Sequence, residues 1–260
     1  MSASPVTQPN FATILPDVAA FAVGLMAARV LGWTTTDLVW SLWLSSLTLG
    51  YLSILFAIGK GFYLGSAVVF SDGFPSEYRA KAVLGGSLVG LFVLAFFSVH
   101  FCAFHAVHAG FLSSFFPPNG VPKQVFSSVS FNPIRLLGNA FSYLMPKYGF
   151  FLVPIIISER RALFGSLGAL LDAKREFGSD QYLTQLFKAS GASTHDLFSR
   201  PYVNVVRMHL LIFFFAICHA LKIDSFAVYV VVYAVYFFPW SVLRRPAGDP
   251  CQNPVTGSGT

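Results

Sequence analysis

Six histidines occur in a 260-residue chain of which only 11% is Asp, Glu, Lys or Arg. Five of them lie inside apolar runs. His100, His105 and His108 share the stretch Ser98-Val99-His100-Phe101-Cys102-Ala103-Phe104-His105-Ala106-Val107-His108, and His209 and His219 share a second run. At about 100° per residue, His105 falls about 140° and His108 about 80° from His100, so one helical arc of about 140° holds all three. His105 and His108 are only about 60° apart, and a three-residue spacing brings side chains together. On the second helix His209 and His219 are about 80° apart in angle but roughly 15 Å apart along the axis.

Imidazole is the commonest ligand for zinc, copper and iron. Three histidines with an open position form a catalytic zinc geometry, and two from facing helices suit haem iron. If both helices run from the cytoplasm outward, His105, His108 and His219 meet near the outer face as metal ligands. His100 then acts as a fourth ligand or holds a ligand's tautomer by hydrogen bonding. This reasoning sets His209 deeper, beside Arg207 and out of reach of the same ion. Cys102 and Cys218 are adjacent candidates for a soft metal. The bland alternatives are an interhelical hydrogen-bond network without metal and a proton relay. His195, next to Asp196, reads as a solvated loop residue. The chain contains no HExxH, CxxC, GxGxxG or Walker pattern, so no reaction is named and no catalytic residue is assigned.

The elements that must position these residues are membrane helices. Apolar residues make up 55% of the chain and charged ones 11%, with a mean hydropathy of +0.65. A soluble domain carries roughly 25% charge. The 29 phenylalanines need lipid or a core larger than a chain of this length forms in water. The net charge of +6 reflects basic residues in short loops, which report topology rather than nucleic acid. Three cysteines, two within apolar runs, indicate no disulfide framework.

The expected fold is an all-α polytopic transmembrane bundle of about six spans. Residues 1–10 form a disordered N-terminus, 11–245 the bundle with a cytoplasmic loop at 172–200, and 246–260 a disordered tail. No lysine or arginine precedes Arg29, so a cleaved signal peptide is not expected. The first span runs from Phe11 to Leu31, closed by Trp33. Thr34-Thr35-Thr36-Asp37 is a helix N-cap signal before a second span, Leu38 to Ile58. A loop is expected from Lys60 to Lys81. Ala82 to Phe116 is an uncharged run of 35 residues, where a bilayer needs about 20. It predicts one helix that projects beyond the hydrocarbon or breaks near Gly110. The fourth span has two readings. Pro133 to Ser158 leaves Lys147 mid-membrane; Tyr148 to Leu171 leaves Glu159, Arg160 and Arg161 there. The first costs less. The fifth span starts at Pro201 and the sixth runs from Phe226 to Leu243.

Asp17 and Arg29 are expected to snorkel. Glu159-Arg160-Arg161 marks the inner interface, with a buried ion pair as the alternative. Trp33, Trp40 and Trp43 form an outer-leaflet aromatic belt, and Gly85-Gly86 marks close helix packing. Lysine and arginine concentrate on the side of the 172–200 loop, which places that loop and both termini in the cytoplasm.

Two stretches carry a resemblance. Phe97-Ser98-Val99-His100-Phe101-Cys102-Ala103-Phe104-His105-Ala106-Val107-His108-Ala109-Gly110-Phe111 and Pro201-Tyr202-Val203-Asn204-Val205-Val206-Arg207-Met208-His209-Leu210, with Trp40-Ser41-Leu42-Trp43-Leu44, are similar to a family of bacterial integral membrane proteins known only as a domain of unknown function. The resemblance implies a multi-pass protein of the bacterial inner (plasma) membrane with histidines at His100, His105, His108 and His209. It thereby restores weight to His209 as a cofactor-binding residue. The family pattern also implies a polar segment near Ser158-Glu159-Arg160, which would favour the second reading of the fourth span. No activity, substrate or cofactor comes with it.

The expected function is therefore a membrane protein binding a transition metal (Cu, Zn or Fe) or haem through an intramembrane histidine cluster near the outer leaflet. The rival is a non-catalytic accessory or assembly subunit packing through Phe-rich helices. A third reading is a small transporter with a histidine proton relay. The expected partners are the lipid bilayer and either membrane-complex subunits or further copies of the chain, with no nucleic acid.

Overall fold

A computed structural model describes residues 11–71, 73–127, 132–157, 159–160, 206, 209–218, 220–223 and 226–237. No strand occurs among them. The longer helices are α1 (Phe11–Val30), α2 (Thr35–Val69), α3 (Ser76–Phe115), α4 (Pro133–Ile157), α5 (His209–Cys218) and α6 (Phe226–Phe237). Among the described residues, α2, α3 and α4 are long and apolar enough to cross a membrane. The segment 172–200, both termini, His195 and His219 lie outside the described residues.

Local signals explain the helix ends. Gly32 adopts φ 62° after α1. Its N–H donates to the Arg29 carbonyl and that of Trp33 to the Ala28 carbonyl, the paired closure that a left-handed glycine allows. Three residues later α2 starts with the expected cap. The Thr34 N–H and hydroxyl donate to the Asp37 carboxylate at 3.0 and 2.9 Å, satisfying groups at the helix start.

The expected loop from Lys60 to Lys81 is mostly helix. α2 runs to Val69 and α3 begins at Ser76, leaving only residues 70–75 as a connection. The 20-residue rule describes the bilayer's thickness, not where a helix ends. Lys60 alone does not stop a hydrogen-bonded ladder. α3 is one continuous helix of 40 residues, about 60 Å long. Gly110 does not break it; the Ser113 and Ser114 hydroxyls donate to its carbonyl.

α2 and α3 form an antiparallel hairpin whose residues 35–50 and 97–116 build the core. Here the aromatic-belt expectation is corrected. Trp40 and Trp43 are fully buried and Trp33 nearly so. Their indole nitrogens are used inside the bundle: Trp40 Nε1 donates to the Phe116 carbonyl at 2.7 Å and Trp43 Nε1 to the His105 carbonyl at 3.1 Å. A buried indole needs such an acceptor. Gly50 lets Phe101 lie flat on α2, since a Cβ there would come within 2.2 Å of its ring. By contrast, a Cβ on Gly85 or Gly86 would meet nothing within 4 Å. Those glycines do not pack closely; Gly86 lines an open apolar groove between the far halves of α2 and α3. The most apolar window of α3 is only 6% buried, so that half faces outward from the bundle.

α4 covers the helix of the first reading of the fourth span, while the second reading runs on to residues outside the described ones, and α4 is irregular. Asn132 caps it by accepting from the Ile134 and Arg135 N–H groups. A π-helical turn spans Ala140–Leu144, with the Met145 N–H donating to the Ala140 carbonyl, and a 3-10 turn spans Gly149–Phe151. Pro146 lacks an N–H and its ring crowds the carbonyl four residues back, Ser142, which displaces the ladder there.

Candidate histidine centre

α3 presents its histidines on different faces. His105 is fully buried and His108 is 3% exposed. The His105 imidazole lies between α2 and α3. Its Nδ1 is 3.1 Å from the Phe101 carbonyl and its Nε2 is 3.3 Å from the Ser46 hydroxyl. A carbonyl only accepts, so Nδ1 carries the proton and Nε2 accepts from Ser46. The ring is also held against Trp43 and Phe101.

His108 points to α5. Its Nε2 lies 3.2 Å from the His209 Nε2, with ring centroids 4.2 Å apart and planes at 82°. Phe116 likewise meets Phe215, so α3 and α5 run in the same direction. The His108 Nδ1 is buried and has no hydrogen-bond partner among the described residues. The His105 and His108 rings are 6.0 Å apart at their centroids.

The structure thus joins His108 to His209, the residue that depth counting had set aside. Counting from span ends fails because α3 is 40 residues long, far more than a bilayer needs, so distance from its end does not fix depth. His100 is half-buried between Phe96 and Phe104 on another face of α3. Cys102 is buried with its sulfur 3.1 Å from the Tyr51 hydroxyl. No group of three or more His, Cys, Asp or Glu side chains among the described residues converges to hold a metal. What converges is a pair.

A second polar cluster sits at the start of α2, where Asp37 was expected only as part of a capping string. Its carboxylate receives Lys147 Nζ at 2.8 Å and the Tyr148 hydroxyl at 2.9 Å in addition to Thr34. Lys147 is therefore not alone in the bundle. Asp17 is not merely snorkelling either: it pairs with Arg160, both side chains partly buried. These pairings join residues 111 and 143 positions apart, and only the opposite charges signalled them. Ser46 was equally unmarked, apart from the run of serines at positions 41, 45 and 46 in an apolar helix.

Chemically, two facing Nε2 atoms at 3.2 Å share one proton between them or offer two lone pairs to an ion. No curated protein and no solved structure matches the chain. A family of unknown function (DUF6498) matches residues 6–238, and the chain belongs to that family.

Proposed function

We propose that the chain is an integral membrane protein whose bundle holds a transition-metal ion at the His108–His209 pair. The observation that carries this reading is the 3.2 Å approach of the two Nε2 atoms across α3 and α5. Two imidazoles on one tetrahedral ion, with bonds of about 2.0–2.1 Å, sit about 3.3 Å apart. The nitrogen spacing suits one ion, and with ring centroids 4.2 Å apart the imidazoles must swing apart to aim both lone pairs at it, the proton between them moving to an Nδ1. The ion form is favoured over haem, because iron between two opposed imidazoles needs about 4 Å and room for a macrocycle.

The supporting context is a multi-pass protein of about six spans in a bacterial inner membrane, with both termini and the 172–200 loop cytoplasmic. The basic residues collect on that side. Metal analysis of purified full-length protein tests the reading, with one ion per chain expected and a loss in His108→Ala and His209→Ala. Metal-free protein with an unaltered double variant refutes it and leaves a hydrogen-bonded or proton-sharing pair. The accessory-subunit reading is favoured by a different observation, the outward-facing apolar half of α3. Stoichiometric co-purification of another membrane protein in mild detergent would support it.

A further inference from the structure

We propose that the groove between the far halves of α2 and α3 binds a phospholipid, with one acyl chain along the groove and the phosphate at Arg79. The inference is independent of the histidine pair and rests on the membrane reading alone. The groove encloses about 480 Å³, within the range of small-ligand sites. Its walls are apolar side chains and glycines. Gly61 and Gly65 on α2, and Gly86 and Gly90 on α3, are each four residues apart, the spacing that lets membrane helices touch. Of these four, Gly90 alone is in contact: a Cβ on it would come within 2.8 Å of the Phe62 ring. A Cβ on Gly61, Gly65 or Gly86 would meet nothing within 4 Å. The small residues therefore widen a space rather than bring α2 and α3 together.

Length and charge select the occupant. Along α3 the groove runs from Ala82 to Val93, about 16 Å, which matches one leaflet of a hydrocarbon core about 30 Å thick. By helical spacing Arg79 falls within about 20° of Gly86 and Gly90, and about 4.5 Å beyond Ala82, where a headgroup follows its acyl chain. One terminal guanidinium nitrogen is anchored there, donating to the Ser71 carbonyl at 3.2 Å and to the Phe74 carbonyl at 3.5 Å. The Arg79 Nε is buried and has no hydrogen-bond partner among the described residues. A phosphate oxygen accepts from that N–H in a charge-assisted bond. An apolar helix laid in the groove offers it no such acceptor, because its carbonyls are used in its own ladder. The other charges near this end face elsewhere or lie outside the described residues. Glu77 and Lys81 are exposed and each about 200° round α3 from Arg79. Lys60 does not line the groove, and Asp72 lies in the connection, outside the described residues.

The test is lipid retention by the full-length protein in detergent. Phosphatidylglycerol, or diacylglycerol with the same acyl chains, is added, and the lipid left per chain after gel filtration is counted by mass spectrometry. The expected result is one phosphatidylglycerol per chain, with diacylglycerol retained about tenfold less. Arg79→Gln should bring phosphatidylglycerol down to the diacylglycerol level. Gly86→Leu, whose side chain enters open space, should expel both lipids with the protein still monodisperse, whereas Gly59→Leu, outside the groove, should retain phosphatidylglycerol. Equal retention of the two lipids by the parent overturns the phosphate assignment. Undiminished retention in Gly86→Leu overturns the groove as the site. A parent that holds neither lipid but self-associates, and loses that association in Gly86→Leu, overturns the lipid reading in favour of a second copy's helix.

Discussion

Replacing Asp37 by alanine removes the carboxylate that ties α2 to α4. Its side chain is 8% exposed and that of its partner Lys147 36%. It accepts from Lys147, Tyr148 and the Thr34 N–H and hydroxyl. Breaking a buried ion pair costs about 3–5 kcal/mol because the other charge is stranded. Water reaches the partly exposed Lys147 ammonium, which pulls the value to the lower end. The lost helix cap adds about 1 kcal/mol. The expected destabilisation of Asp37→Ala is about 3–4 kcal/mol. Asp37→Asn keeps one oxygen to accept from Thr34, while its amide NH2 takes the place of the oxygen that faces Tyr148; it should lose about half as much, roughly 2 kcal/mol. Combining Asp37→Asn with Lys147→Met removes the stranded charge and should return to within about 1 kcal/mol of the parent. Reversible unfolding of the detergent-solubilised protein measures all three. If Asp37→Ala lies within about 0.5 kcal/mol of the parent, or the double variant is no better than Asp37→Asn, the cluster does not hold α4 to α2.

Gly50→Ala should destabilise by about 1–3 kcal/mol, because its Cβ meets the buried Phe101 ring; Gly59→Ala, with nothing within 4 Å, should be neutral or slightly stabilising in the same assay. Trp40→Phe should cost more than Trp43→Phe, about 2 against about 1 kcal/mol: Trp40 serves the carbonyl of Phe116 at the end of α3, whereas Trp43 serves a carbonyl inside the helix. Metal content should fall below one per chain in His108→Ala or His209→Ala and stay unchanged in His100→Ala, whose ring stacks on phenylalanines, and in His195→Ala; a loss in His100→Ala would mean the ion sits elsewhere. Cysteines introduced at Ser179 and Gly120 should label from opposite sides of the membrane, and labelling of Ser179 from outside would invert the proposed orientation.

Hydropathy alone already points to apolar helices, because runs such as Ala82–Phe116 are apolar without the alternation of a barrel strand, and a helix satisfies its own backbone groups. The N-cap at Thr34 with Asp37 and the unbroken helix after Ala82 were also legible, since each depends on neighbours within a few turns. Tertiary structure decided which histidine meets which. The partners of His105 and His108, Ser46 and His209, lie 59 and 101 positions away, and helix rotation and relative depth are set by packing that one-dimensional periodicity does not encode. The same reason turned Trp40 and Trp43 inward. Tryptophan near a span's end suits an interface and a core equally, and only the Phe116 and His105 carbonyls within reach of their indoles select the core. It also gave Asp37 its second role, because a carboxylate that caps its own helix shows no sign in sequence of the lysine packed against it from a helix about a hundred residues on.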